Sequence, residues 1–156
     1  MTELAIAADD PRAPDVAALL ERHLRFAHEH SPIEDVHALD LAALLAPSIT
    51  FCSCRSDGSL LGVGALLELD PDHGELKSMH TAVDARGRGV GRAMVLHLLA
   101  LARRRSYRRV SLETGTTDAF AAARTLYASE GFVVCPPFNG YRDSPHSVCM
   151  TLELGG

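Results

Sequence analysis

The segment Arg86-Gly87-Arg88-Gly89-Val90-Gly91-Arg92 leads directly into an apolar stretch at 93–102. Glycines at alternate positions let backbone N–H groups approach a ligand closely, because no Cβ stands in the way. The apolar stretch predicts a helix, whose first N–H groups are unpaired and whose dipole is positive at that end. With three interleaved arginines, the segment predicts a strand-to-helix turn that binds a phosphate or pyrophosphate.

The length and composition are those of one globular domain spanning residues 1–156. The 156 residues are 47% hydrophobic and 22% charged, which excludes a disordered chain. The formal net charge of −5 argues against a nucleic-acid partner, because such a protein needs a strong positive field. The sequence contains no run of about 18 apolar residues and no N-terminal signal core. We therefore expect a cytoplasmic protein with no membrane partner.

The four cysteines indicate neither a metal site nor a disulfide framework. Cys52, Cys54, Cys135 and Cys149 are irregularly spaced, and free cysteine is among the most buried residue types. Cys52 and Cys54 share one face of a predicted strand, but no nearby cysteine or histidine pair completes a zinc set. We expect buried free thiols and no metal.

Periodicity and turn residues predict a mixed α/β order. Apolar residues at helical spacing predict a helix over 15–28, and Ser31-Pro32-Ile33-Glu34 has the layout of a capping box for a shorter helix ending at Ala46. Asp57-Gly58 predicts a type I′ hairpin turn. The helix after the glycine-arginine turn is apolar nearly all round, so we expect it between layers. Strands are predicted over 4–6, 49–55, 60–69, 75–81, 109–113, 132–134 and 147–154, with helices ending near 105 and running from 116–118 to about 130.

This order of hairpins followed by strand–helix–strand–helix–strand predicts a largely antiparallel sheet with a parallel pair near its centre. The glycine motif is neither a Walker loop, which needs Gly-Lys-Ser/Thr, nor a Rossmann fingerprint, which follows the first strand. The deciding feature lies about 40 residues downstream, at Leu126-Tyr127-Ala128-Ser129-Glu130-Gly131-Phe132. The glycine-arginine turn, read as Arg-x-x-Gly-x-Gly, and this Leu-Tyr-x-x-x-Gly-Phe segment together resemble the GNAT superfamily of acyl-CoA-dependent N-acyltransferases over roughly 75–132.

The resemblance implies a single-domain α/β fold with a mixed, mostly antiparallel central sheet of about six or seven strands, flanked by about four helices. Segments at 31–40, 75–79, 112–115 and 137–141 further resemble a bacterial subgroup of small GNAT proteins. The implied co-substrate is acetyl-CoA, whose pantetheine arm would pair with the end of a strand and whose pyrophosphate would meet the glycine-rich turn. The implied binding residues are Met79, His80, Thr81, Arg86, Gly87, Arg88, Gly89, Val90, Gly91 and Arg92.

By the same resemblance, Tyr127 donates a proton to the departing thiolate. A phenol of pKa about 10 can hydrogen-bond or protonate a thiolate whose parent pKa is about 8.5. The alternative is a core aromatic packed with Phe120 and Ala123 on one helical face. Many family members carry asparagine where this chain has Phe120, so a polar contact to the pantetheine arm is missing or supplied elsewhere. Phe120 is instead a candidate wall of the acyl pocket.

Two carboxylates are candidates for the group that takes a proton from the attacking amine. Glu113 and Glu75 lie on the two predicted strands whose ends should flank the acyl group. Either could accept the proton directly or through water, because an amine of pKa about 10 must lose a proton before it attacks. The alternative for each is an ordinary structural or surface carboxylate.

The candidate acceptor-pocket residues come from two regions of the sequence. His28 and His37 lie near the first two predicted helices, and Phe138 and Tyr141 lie on the loop before the last strand. The run His28-Glu29-His30 does not predict a metal site, because residues two apart on a helix do not face each other. We therefore still expect no metal site.

The expected function is transfer of an acetyl group from acetyl-CoA to the primary amine of a small molecule or amino acid, directly and without a covalent enzyme intermediate. Two alternatives stay open at this level. One is a non-catalytic acyl-CoA-binding regulatory module, and the other is a protein N-acetyltransferase. The expected partner is a small-molecule amine, and the resemblance allows a homodimer.

Overall fold

The structure, a computed structural model, describes residues 3–35 and 39–155. These residues form seven strands and three α-helices. The strands are β1 (Ala5–Ala8), β2 (Ile49–Ser56), β3 (Ser59–Asp70), β4 (His73–Thr81), β5 (Arg109–Gly115), β6 (Val133–Cys135) and β7 (Ser147–Glu153). The helices are α1 (Pro14–His30), α2 (Val90–Arg104) and α3 (Ala121–Ser129), with short 3₁₀ turns at Ile33–Asp35, Ala43–Leu45, Val83–Ala85 and Asp118–Phe120.

The seven strands form one sheet in the order β1-β2-β3-β4-β5-β7-β6. Every neighbouring pair is antiparallel except β4 and β5, which are parallel and central. Asp57 and Gly58 have φ angles of 50° and 80°, as the type I′ turn between β2 and β3 requires. The predicted hairpin and the mixed, mostly antiparallel sheet with a central parallel pair are confirmed.

The parallel pair is short, and its shortness opens the sheet. β4 and β5 pair over three residues only, ending at Glu75 opposite Ser111. Beyond that point β4 continues to Thr81 and β5 continues to Gly115 without pairing to each other. A cleft therefore opens between the free halves of the two central strands.

A bulge in β4 lies inside this cleft. Between the pairs Val63–His80 and Ala65–Lys77, β4 has one residue more than β3. Ser78, within this stretch, has a φ of 55°, which is uncommon for a residue other than glycine. Since a bulge bends its strand and leaves a residue unpaired, it widens the cleft at this level of the sheet.

Helices α1 and α2 cover opposite faces of the sheet. Successive strand residues point to opposite faces, so Phe51 joins the hydrophobic cluster under α1 whereas Cys52 joins the one under α2. All four cysteines are free; Cys52, Cys54 and Cys149 are buried as expected, whereas Cys135 is half-buried. The buried α2 side chains are Val90, Met94, Val95, Leu98, Leu99 and Ala102.

Two glycines of β3 let α2 approach the sheet closely. A Cβ at Gly64 would lie 2.7 Å from Met94, and one at Gly62 would lie 2.8 Å from Val90. The opposite side of α2 faces solvent, where Leu96 is 48% exposed. The expectation that this helix lies between layers was therefore wrong, because its second side has no layer against it.

The predicted second helix is absent from the described part of 33–46. Only the 3₁₀ turns Ile33–Asp35 and Ala43–Leu45 form there, so the sheet is flanked by three α-helices and not about four. Of these two turns only Asp35 and Leu44 are buried, which is too few apolar contacts to stabilise a longer helix. Likewise, 116–118 do not begin α3, which starts at Ala121 after a 3₁₀ turn. Within residues 3–35 and 39–155, no helix is long and apolar enough to cross a membrane.

Candidate active site

The cleft between β4 and β5 is the mouth of a cavity of about 530 Å³. Its walls come from α1, the free half of β4, the start of α2, the end of β5 and the start of α3. The predicted binding residues line it, with Arg88 as the exception: they are Met79, His80, Thr81, Arg86, Gly87, Gly89, Val90, Gly91 and Arg92.

The start of α2 is built to present backbone N–H groups to this cavity. Gly87 and Gly89 have φ angles of 77° and 80°, a region that glycine occupies at little cost. Gly89 is the N-cap of α2, and no side chain caps the helix. The first N–H groups of α2 therefore keep hydrogen-bonding capacity for an anion.

Within residues 3–35 and 39–155, Arg92 is the arginine of this turn that has side-chain partners. Its guanidinium donates to the Glu130 carboxylate and, at 3.0 Å, to Ser129 Oγ at the end of α3. This ion pair ties the start of α2 to the end of α3. Arg92 consequently shapes the cavity wall through α3 as well as adding positive charge there.

Tyr127 of α3 also lines the cavity. The side chain is 7% exposed, and its ring lies 5.9 Å from the ring of Phe132. Burial raises the pKa of Tyr127 to about 12. The hydroxyl therefore keeps its proton at neutral pH and can donate it to a hydrogen bond.

Glu113 of β5 reaches the cavity from the opposite strand. Its carboxylate accepts a 2.5 Å hydrogen bond from Ser147 Oγ. Burial raises the pKa of Glu113, while the hydrogen bond from Ser147 and the charge of Lys77 act in the opposite direction. A carboxylate with a raised pKa is a stronger base than an ordinary surface glutamate.

Glu75 has a different environment, although it lies on the neighbouring strand. It is 1% exposed and does not line the cavity. Its carboxylate accepts a hydrogen bond from the Tyr141 hydroxyl at 2.5 Å and lies 3.4 Å from Lys77 Nζ. Lys77 in turn donates to the Tyr141 hydroxyl at 2.8 Å. The structure thus separates the two candidate carboxylates into one at the cavity and one in a buried network.

Three of the four predicted acceptor residues, His28, Phe138 and Tyr141, do not line the cavity. His28 is exposed on α1, and His37 lies outside the described residues. Phe138 packs against Tyr141, with ring centroids 5.1 Å apart, and the Tyr141 hydroxyl accepts a hydrogen bond from Lys77, which lines the cavity.

Other residues take the place of these on the cavity wall. Phe120 lines it and packs edge-on against Phe26 of α1 at 5.3 Å, and a Cβ on Gly115 would collide with the Phe120 ring. The sequence analysis assigned no role to His23, Asp35 or Lys77. All three line the cavity.

His23 and His80 form a close pair across the cavity wall. Their Nδ1 atoms are 3.1 Å apart, so one ring donates an N–H and the other accepts it. Burial lowers the pKa of each to about 4. Both rings are therefore neutral at pH 7. Among the described residues, no group of three or more histidines, cysteines or carboxylates is arranged to hold a metal ion.

This pair predicts an acid-sensitive fold. Between pH 6.5 and 4, unfolded histidines take up protons while folded His23 and His80 do not. The unfolded state then binds more protons, so stability falls as pH falls, by up to about 1.4 kcal/mol per pH unit for each proton. Urea unfolding of the wild type and His23→Phe from pH 7 to 4 should show a shallower decline in the variant. Exposed His28→Gln, the control, should keep the wild-type decline; equal declines in all three contradict the assignment.

Comparisons with known proteins agree with this fold. The model of the acetyltransferase (GNAT) family matches residues 14–132. The chain is 44% identical over 149 residues to the uncharacterised N-acetyltransferase YsnE of Bacillus subtilis (strain 168), which covers 96% of this chain and 99% of that relative.

Solved structures share the fold over nearly the whole chain. A candidate acyl-CoA N-acyltransferase from Klebsiella pneumoniae is 27% identical, with a TM-score of 0.80 over 97% of each chain. YncA of Salmonella typhimurium, a candidate acetyltransferase solved with its cofactor acetyl-CoA, is 21% identical, with a TM-score of 0.72 over 97% of this chain and 94% of that one. A family match over most of the chain and a relative 44% identical along nearly its whole length show that the chain belongs to the GNAT family and is an N-acetyltransferase.

Proposed function

We propose that the protein transfers an acetyl group from acetyl-CoA to the primary amine of a small molecule by direct transfer. One observation carries this proposal. A single cavity brings together the uncapped start of α2, the buried phenol of Tyr127 and the carboxylate of Glu113. An anion-binding end, a hydrogen-bond donor and a base are the groups that acyl transfer from a phosphorylated thioester to an amine requires.

The described residues fit acetyl-CoA. Gly87 and Gly89 expose backbone N–H groups, and a Cβ at either would meet no protein atom within 4 Å, so the space beside them is open for a ligand. The unpaired half of β4 offers backbone groups to an extended pantetheine arm. Acetyl-CoA, which YncA holds as its cofactor, would supply the activated thioester.

Gly89→Val should weaken CoA binding by about tenfold or more. A valine at a φ of 80° costs roughly 1–2 kcal/mol, so the turn shifts to another conformation, and the new side chain covers the N–H groups. Isothermal titration with CoA measures the loss. Gly58→Val is the matched control, because Gly58 has the same φ of 80° and open space but lies in the β2–β3 turn. CoA affinity unchanged by Gly89→Val refutes this role for the turn.

The chemistry needs one proton removed and one leaving group stabilised. Glu113 takes a proton from the acceptor's ammonium, which leaves a neutral nitrogen able to attack the thioester carbonyl. The new C–N bond forms as the C–S bond breaks, and the Tyr127 hydroxyl donates a hydrogen bond to the departing sulfur. We expect backbone N–H groups near the β4 bulge to stabilise the negative charge that develops on the carbonyl oxygen.

Release of free CoA tests the proposal against a non-catalytic binding module. Purified protein is mixed with acetyl-CoA and a panel of small primary amines, and free thiol is measured with a thiol reagent. Amine-dependent thiol release supports the enzyme, whereas CoA binding without turnover on any amine supports the module. Turnover only on peptides with free N-termini supports the protein N-acetyltransferase. The cytoplasmic location and the homodimer stay predictions.

A further inference from the structure

We infer that Asp35 and Glu113 together bind the ammonium group of the acceptor, and that the acceptor is a small amine with no carboxylate of its own. The inference rests on the proposed function and deepens it by naming the substrate class. It gives a role to Asp35, a residue of the short turn after α1 to which the sequence analysis assigned none.

Asp35 has an unusual environment for an aspartate. It is only 6% exposed, yet it lines the cavity. Its Oδ2 accepts a hydrogen bond from Ser144 Oγ at 2.8 Å, whereas its buried Oδ1 has no partner among the described residues. An unsatisfied buried carboxylate oxygen is costly, so a ligand that donates to it recovers free energy on binding.

A single turn holds Asp35 and Glu113 in the same way. Ser144 and Ser147 are joined by an isolated β-bridge just before β7. Ser144 donates its hydroxyl to Asp35, and Ser147 donates its hydroxyl to Glu113 Oε2. Each carboxylate is therefore fixed through one oxygen, and Asp35 keeps its buried Oδ1 for a ligand. Two carboxylates held in this manner suit an ammonium, which has three N–H donors.

The surrounding charges favour a cation over a zwitterion. Lys77 lies 3.4 Å from Glu75, so the positive charge nearest to the pair is already shared with a third carboxylate. His23 and His80 are neutral at pH 7 and add no positive charge. The net charge at this part of the cavity is therefore negative. An ammonium compensates it, whereas a carboxylate on the acceptor adds to it.

The cationic turn lies at the other end of this half of β4. Lys77 and Thr81 are four residues apart, and the bulge between them makes the stretch shorter than the about 13 Å of a regular strand. A Cβ at Gly91 of α2 would lie 3.8 Å from Thr81 Oγ1, which places the glycine-arginine turn beside the far end of β4. The cavity thus has a positive part for the phosphates and a negative part for the amine.

Matched amine and amino-acid pairs test the inference. Phenethylamine with phenylalanine, tyramine with tyrosine, and isobutylamine with valine differ only by the carboxylate. We expect wild-type kcat/KM to be at least about tenfold higher for the amine of each pair, and Asp35→Asn to raise the KM for the amine about 10- to 100-fold. The KM for acetyl-CoA should change less than twofold, because Asp35 lies away from the phosphate turn.

The controls separate ammonium binding from folding. Asparagine is isosteric with aspartate, and its side-chain carbonyl oxygen can still accept a hydrogen bond from Ser144. The melting temperature of Asp35→Asn should therefore equal that of the wild type. Glu34→Gln, in the same turn but exposed, should leave every kinetic constant unchanged. Calorimetric titration of the amines into the CoA-bound wild type and the CoA-bound Asp35→Asn variant measures amine binding without turnover.

Each outcome has a defined meaning. Asp35-dependent amine binding without thiol release supports the ammonium site and contradicts the proposed catalysis. Turnover with an unchanged amine KM in Asp35→Asn, or with amino acids used as well as amines, overturns the inference and leaves the acetyltransferase proposal standing. Neither binding nor turnover with all three amines overturns the inference, and thiol release with the wider amine panel then decides the function.

Discussion

Tyr127→Phe should lower kcat about 100-fold while changing CoA affinity less than threefold. The pKa of Tyr127 is about 12, and that of a thiol is about 8.5, so full proton transfer from the phenol to a thiolate is uphill by about 5 kcal/mol. The hydroxyl therefore acts chiefly by hydrogen bonding to the developing thiolate. Loss of one such donor from a desolvated site costs about 100- to 1,000-fold in kcat.

Stability measurements distinguish this role from core packing. Phenylalanine preserves the contact with Phe132, and no described residue hydrogen-bonds the Tyr127 hydroxyl, so the melting temperature should not fall. Tyr107→Phe is the matched control, because that buried hydroxyl donates to Glu68 at 2.7 Å outside the cavity. It should lose about 1 kcal/mol of stability and keep its kcat. Equal loss of kcat and CoA affinity in Tyr127→Phe contradicts the donor role.

Glu113→Gln should lower kcat/KM for the amine by about 100-fold or more at neutral pH and also raise the melting temperature. Glutamine cannot accept the amine proton, which accounts for the loss of rate. The stability gain follows from linkage. Burial raises the pKa of Glu113, so the folded state holds that proton at pH values where the unfolded state has lost it. Stability therefore falls as pH rises through this window, and the uncharged variant avoids the loss at pH 7.

Two further variants check the assignment of the base. Glu75→Gln should lower the melting temperature, the opposite sign, because it removes the carboxylate that pairs with Lys77 and accepts from Tyr141. Ser147→Ala removes a hydrogen bond that lowers the pKa of Glu113, so the acid limb of kcat/KM should move to higher pH. A wild-type pH profile in Ser147→Ala would exclude Glu113 as the titrating base.

Features set by neighbouring residues were predictable from the sequence. Asp57-Gly58 specifies its turn through backbone preferences alone, and the glycines at 87 and 89 specify an open helix start for the same reason. Apolar runs bounded by turn residues predicted the seven strands in order, because both signals are local. The described part of 33–46 was misread as a helix, because Ile33, Leu41 and Leu45 are exposed there and do not provide the packed apolar face that stabilises one.

The difference between Glu75 and Glu113 shows where sequence reasoning ends. Both are strand glutamates, and nothing in their neighbours along the chain separates them. The register of β4 against β5 stops at Glu75, which buries that residue beside Lys77 and leaves Glu113 beyond the last pair, at the open cleft. The roles proposed for both residues stay predictions.

The sequence by itself determined the order of the strands and the glycine-arginine helix start, because each depends on residues close together in the chain. It also determined the central parallel pair, because a helix crosses over between β4 and β5. Only the tertiary structure decided the far wall of the cavity, where Asp35, His23 and Lys77 meet β5 and the turn before β7. Asp35 and Ser144 are 109 residues apart in sequence and 2.8 Å apart in space. Contacts of that kind depend on strand register and helix packing, which no local pattern encodes.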